Sequence, residues 1–338
     1  MSTCFGLVAL GQITDPSEQS LNRRTVNERR EWARRVFQQL SVGAPRMKQT
    51  IFLAGHRYRE FLTALLEERH VAAGVPIKRA CELANSFAGW GSTMNRPADL
   101  LRFYAILDRL KDRLHGTHRL SDCRGGMGWP LRGVYFFFEP GEHRTEGPPR
   151  VVRVGTHALK AGSKSRLWQR LSQHRGAASG GGNHRGSIFR LLVGESLKGR
   201  GQYQNAISWD VCEDKSKAAK QLGIPREQVS LCEHPLELAV SDHIRSMPFL
   251  WIDIADEPGP DSHRGLIESS SIALLSNHGK TEIDPPSSEW LGRQCSRERV
   301  RSSGLWNNNH VDEDYDPMFL SLLERYVEST TPLKTLRR

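Results

Sequence analysis

Apolar positions along this chain switch repeatedly between helical and strand rhythms. In RREWARRVFQQLS (29–41), Trp32, Val36 and Leu40 recur every four residues, which predicts a helix. TIFLAG (50–55) reads as a short strand. YREFLTALLEERH (58–70) returns to helical spacing through Phe61, Leu62, Leu65 and Leu66. A strand running into a helix predicts an α/β unit. The clearest helix spans 97–114, with Pro97 in its first turn and Leu100, Tyr104, Leu107 and Leu114 on one side. CRGGMGWP, within 116–130, reads as a Gly-rich linker. Beyond it, GVYFFFE (133–139) predicts an aromatic strand and VVRVG (151–155) a β-branched one, with the polar EPGEHRTEGPPR as their hairpin loop. A short helix over LWQRLSQH (167–174) and a flexible loop, AASGGGNHRG (177–186), follow. SIFRLLVG fits either a helix or a strand. Residues 200–247 read as an inserted helical segment containing KSKAAKQL and LELAVSDHIRSM. FLWIDIAD (249–256) is a third strand, LIESSSIALLSN (266–277) a helix, and FLSLLERYV a closing helix. The division expected is an accessory α/β domain over 1–120 and a second domain over 121–338.

Composition adds a partner. Hydrophobic residues make up 38%, below the usual globular share, so substantial loops are expected. The net charge is +10, and its placement matters more than its size. Residues 150–200 hold 11 Lys or Arg against one acid, Glu195, and the rest of the chain balances to zero. So concentrated a field suits a polyanion such as nucleic acid; a merely soluble basic surface is the alternative. None of the six cysteines forms C-x-x-C, which argues against a zinc ribbon. FGLVAL lacks the features of a signal peptide, and no apolar run approaches a membrane span. An intracellular, cytoplasmic protein with reduced thiols and no membrane partner is expected. The Gly-rich GAASGGGNHRGS (176–187) lacks the phosphate-loop pattern, HVDEDYD lacks EF-hand spacing, and CEH (232–234) has no partner pair.

Two helices hold polar groups where apolar ones belong. With Leu167 at zero on a helical wheel, Leu171 and Trp168 make the stripe near 40° and 100°, and Arg170 and His174 fall at roughly −60° and −20°, on its edge. With Ile267 at zero, Glu268 lies near 100°, between Leu275 and Ile272. Burying an ionised carboxylate alone costs several kcal/mol, so a metal ion, Arg170 or a bound proton should compensate it. A salt-bridged structural Glu is the alternative.

GVY, then VRVG, a helix with Arg170 and His174, NHRGSI, and a Glu on a later helix follow one another in an order that resembles the GIY-YIG nuclease superfamily over about 131–280, extending toward Asn307. The resemblance implies an α+β fold, a small three-stranded antiparallel sheet flanked by helices, beside the N-terminal α/β accessory domain. It implies a metal-dependent endonuclease that hydrolyses double-stranded DNA in defence, restriction or DNA processing. Glu268 would be the metal ligand for Mg²⁺ (or Mn²⁺). Tyr135 would orient or deprotonate the attacking water; a core strand aromatic is its alternative. Arg170 would hold the scissile phosphate, His174 would lie near the nucleophilic water, and His184 matches a His of homing-type members. Asn277 or Asn307 would be the late Asn near the phosphate, and the GLWN stretch favours Asn307. Further contacts to substrate are expected from His157, Lys164, Arg166, Arg175 and Arg185. One departure stands out: the second signature reads R-V-G, so Arg153 replaces a Tyr. Arginine cannot act as a base near neutral pH but can bind phosphate or position water, and His157 is the other candidate for the missing group. A catalytically inactive DNA-binding module, or a structure-specific repair or RNA nuclease, would share these residues. The N-terminal region is faintly similar to part of a YaaA-related α/β domain.

Overall fold

The computed structural model describes residues 95–333 except 146, 260 and 261, together with 28, 31–36 and 38. The chain divides into two compact units between Asn95 and Arg96. In the first, the described positions are helical and Trp32 and Val36 are buried, as their spacing predicts. The other expectations for residues 1–94 lie outside the described residues.

The second unit is built on an antiparallel sheet of order β1-β4-β2-β3, comprising β1 (His118–Arg119), β2 (Gly133–His143), β3 (Pro149–Gly155) and β4 (Pro248–Asp253). The three expected strands are its body. The fourth, β1, is only two residues long and has no periodicity to read, so the expectation of three strands is corrected to four. β2 is central and buried on both faces, which explains its unbroken apolar run. Side chains alternate across it. Phe136 meets Phe103 of α1 (Arg96–Arg113) at 5.9 Å between ring centres, and Phe103 meets Phe319 of α8 (Phe319–Ser329) at 6.3 Å. Tyr135 and Phe137 face the other way, where Phe137 meets Phe189 at 5.4 Å. Helix α1, placed with the N-terminal part in the sequence reading, thus packs within the second unit.

The second face is covered by α2 (Leu167–Arg175), α3 (Ile188–Gly199) and α5 (Arg226–Ser246), with α4 (Lys215–Leu222) against α5. SIFRLLVG is therefore helical. α6 (His263–Leu275) contacts β2 and β3, and the short α7 (Glu298–Ser303) follows. Among the described residues no helix is long and apolar enough to cross a membrane.

The hairpin loop is shorter than expected, because β2 runs on to His143 through two register shifts. Polar side chains can enter there because each finds partners. Glu142 takes Arg150 at 2.6 Å, and Glu139 accepts from the indoles of Trp290 (3.0 Å) and Trp306 (2.8 Å). The edge strand β3 is closed by a chain segment rather than by another strand: Trp306 N donates to Val152 O (2.7 Å), and Asn307 exchanges two bonds with Val154.

The segment read as an insertion is structural. Glu237 of α5 binds Arg190 of α3 (Nε 3.1 Å), the backbone N–H of His184 (2.7 Å) and its ring Nδ1 (2.9 Å). Glu233 holds Arg185 bidentately, at 2.7 and 2.8 Å. Burial opposes the charge of Glu237, but the bonds from His184 and Arg190 outweigh it and draw its pKa down to about 2. An unfolded Glu titrates near 4.3, so this stabilisation is fully present above about pH 4.3 and is lost as pH falls toward 2. Glu237→Gln leaves Arg190 buried without its counter-charge and is expected to cost roughly 3 kcal/mol at pH 7. Urea titrations of both proteins should show that gap closing between about pH 5 and pH 2.

Candidate active site

The site grows from one close approach. Tyr135 on β2 and Gly155 at the end of β3 are paired residues, and the Tyr135 ring lies across the glycine. A Cβ at position 155 would fall 2.4 Å from the phenolic oxygen. Glycine is needed here for space. The ring is fully buried, and its hydroxyl lies 2.8 Å from Nε2 of His174 on α2.

His174 is fully buried and edge-on to Tyr135 and Phe189. Its Nδ1 lies 2.8 Å from the Oγ of Ser187, the N-cap of α3, which also accepts from Arg190 N. Burial first, then the charges of Arg170, Arg153 and Arg190, hold the His174 pKa well below its ordinary value. The imidazole is neutral at physiological pH, so Ser187 and Tyr135 divide one donor and one acceptor between them. Sequence reading missed Ser187. The signal available was a Ser directly preceding an apolar helical run, the usual N-cap pattern.

Arg153 precedes Gly155 by two residues and so shares its face of β3. Its guanidinium donates to Trp306 O and lies 5.1 Å from the Phe189 ring centre, while its Nε has no partner. Burial lowers its pKa, and Tyr135 and Glu268 work against that while Arg170 adds to it. The position that would carry the second Tyr therefore places a cation among the same groups.

Glu268 reaches this cluster from α6. It is partly buried, and one carboxylate oxygen accepts from Thr156 N (3.0 Å), just past Gly155. Thr156 Oγ1 donates to Gly133 O (2.7 Å), which ties the ends of β2 and β3. Burial pushes the Glu268 pKa up, against the pull of Arg153, the Thr156 N–H, His310 and Arg170. Thr156 was also missed, since a single strand-end Thr carries no pattern. Arg170 is half-exposed and donates to Gln173 and to Gly186 O, both at 3.1 Å. Its charge bears on both His174 and Glu268.

The structure therefore brings Tyr135, Arg153, Arg170, His174 and Glu268 together. Others it places elsewhere. His184 is buried against Glu237 and stacked on Trp209 at 3.8 Å, and Arg185 is held by Glu233, so the 177–186 loop turns both inward. Asn307 stays against the cluster, with both amide atoms on Val154 between Arg153 and Gly155, whereas Asn277 accepts from Arg96 and Ile283 N. Lys164 and Arg166 are exposed ahead of α2 and at its start. Arg175 lies past its other side, donating to Cys123 O. His157 is buried beyond Thr156 with no well-formed hydrogen bond from either ring nitrogen. Burial and then Arg264 lower its pKa to about 4.

Whether these residues suit a divalent cation can be judged from the donor set. No group of three or more His, Cys, Asp or Glu side chains is gathered to hold a metal among the described residues. A lone, partly buried carboxylate fits a hard cation that keeps most of its waters and takes the remaining oxygens from substrate phosphate.

The family whose model matches residues 94–333 is the GIY-YIG domain, and a family of unknown function (DUF6884) matches residues 1–82. No curated protein and no solved structure matches the chain.

The close approach at Gly155 is directly testable. Gly155→Ala is expected to lose about 1–3 kcal/mol by displacing the Tyr135 ring. Gly126→Ala, where an added methyl meets nothing within 4 Å, should cost less than about 0.5 kcal/mol. Denaturant midpoints of the two variants measure the difference.

Proposed function

The chain belongs to the GIY-YIG domain family, a family of nuclease-type domains, and from that premise we propose that it is a metal-dependent endonuclease cutting double-stranded DNA. The observation carrying this reading is the convergence of the Tyr135–His174 pair and the Glu268 carboxylate on the ends of β2 and β3, with Arg153 and Arg170 beside them. Phosphodiester hydrolysis adds negative charge at phosphorus, and these are the residue types that answer it.

Glu268 would hold the cation, Mg²⁺ or Mn²⁺, which when bound neutralises charge on the phosphate and polarises it. Tyr135 orients the attacking water through its hydroxyl. With Nδ1–H donated to Ser187, His174 Nε2 is free to accept the Tyr135 proton, so the phenol can in turn accept one from water. Arg170, half-exposed and with donors to spare, binds the scissile phosphate. Arg153 stands in for the second signature Tyr as a fixed positive charge rather than as a base. A second reading, a DNA-binding module without catalysis, is favoured by that same Arg153 replacement.

A supercoiled plasmid digested with Mg²⁺, with and without EDTA, separates the two. Wild type should nick only without EDTA. Tyr135→Phe should slow nicking by roughly 10²-fold or more, and Glu268→Gln should abolish it while leaving DNA binding intact. Because Glu268 is destabilised by burial, Glu268→Gln should also raise the melting temperature of the metal-free protein at pH 7. A wild-type protein that binds DNA and never nicks it would leave the binding-module reading standing.

A further inference from the structure

The linker CRGGMGWP has no part in the cleft, yet it is closely packed. Gly125 lies against Trp168 of α2, where a Cβ would fall 2.8 Å from the indole nitrogen. Trp129 stacks on Trp168 (5.0 Å, 22°) and on Phe249 of β4 (6.2 Å, 11°). The guanidinium of Arg175 stands 5.2 Å from the Trp168 ring centre. A ladder of rings anchored in the sheet thus ends in a cation.

Two more arginines join it. Arg245 of α5 donates its Nε to Arg175 O (3.0 Å) and its other nitrogen to Ala177 O, past the end of α2. Arg124 is exposed at the start of the Gly-rich turn. Arg175 donates to the carbonyl of Cys123 (2.8 Å), the residue before Arg124, so the three gather at one end of α2, and after burial the charges of Arg245 and Arg124 lower the Arg175 pKa. Among the described residues none of the three forms an ion pair with a carboxylate, although Asp122, which accepts from Ser121 Oγ, is nearby. The Nε of Arg175 has no partner at all. Arg175 and Arg245 use some of their donors on the backbone carbonyls of Cys123, Arg175 and Ala177, which do not neutralise them; gathering like charges costs free energy, and a polyanion supplies counter-charge.

We propose that Arg124, Arg175 and Arg245 form a second clamp on the phosphate backbone of double-stranded DNA, on the side of α2 facing away from Arg170. This rests on reading the cleft as a DNA nuclease site. α2 itself links the two contacts. Arg170 and Arg175 are five positions apart, hence roughly 140° apart around the helix, and a helix is about 10 Å across. A duplex seated at the cleft meets the clamp about three base pairs further on, at ~3.4 Å per step. The clamp fixes the register of the backbone, and Arg170 engages the bond to be cut.

The test is fluorescence anisotropy with a blunt labelled duplex over a range of salt concentrations. Arg124→Gln and the double variant R124Q/R175Q are compared with wild type, and Arg226→Gln, exposed on α5, is the control. Each guanidinium removed from the clamp should lower the slope of log K against log [salt] by about 0.9 and weaken binding several-fold at physiological salt. Arg124 is exposed, so its variant should fold even if Arg175→Gln does not. Unchanged slopes in both variants, or an equal drop in Arg226→Gln, would overturn the clamp. Plasmid nicking by wild type is scored separately: its absence defeats the nuclease reading, while the slopes still decide the clamp.

Discussion

The Tyr135 ring can lie flat across β3 only because residue 155 has no side chain, and the rest of the site depends on that contact. It sets the phenol at the end of the sheet and points its oxygen at His174. From there the order is carried outward through Ser187 to the start of α3 and, by Arg190, to Glu237 on α5. A carboxylate in the segment between β3 and β4 therefore supports an imidazole that it never touches. The residues that look dispensable in the chain are part of the frame that holds the pair.

Electrostatically the site is under tension by construction. Glu268 is pushed toward its protonated form by burial, and Arg153 and His174 toward their neutral forms. On the proposed reading, a phosphate would relieve Arg153 and a hard cation the carboxylate. Such preorganisation is unfavourable for the empty fold and favourable for charge that develops during reaction. The replacement of a signature Tyr by Arg153 fits this balance, since it adds positive charge where the phosphate would sit.

Much of this was legible in the chain. The long apolar run of β2, the β-branched β3, and the helical spacing of α1, α2 and α6 are local signals, and local signals fix local geometry. Arg170, His174 and Glu268 could be singled out because their positions within those rhythms were odd for their chemistry, and Tyr135 through the GVY signature. The direction in which other basic and amide side chains turn could not be read, for a physical reason. Arg185, His184 and Asn307 sit in irregular segments, where sequence does not say which way a side chain turns, and each turned toward a buried partner far along the chain. The fourth strand escaped because two residues cannot show a period.

The sequence by itself determined most of the elements and the concentration of positive charge over 150–200. Only the tertiary structure decided which polar groups meet. Glu237 went to Arg190, Thr156 to Glu268, Ser187 to His174, and three arginines came together with no ion pair to a carboxylate among the described residues. The reason is that periodicity reports which face of an element is buried, whereas hydrogen bonds and ion pairs depend on distances between elements remote in sequence, which only packing sets.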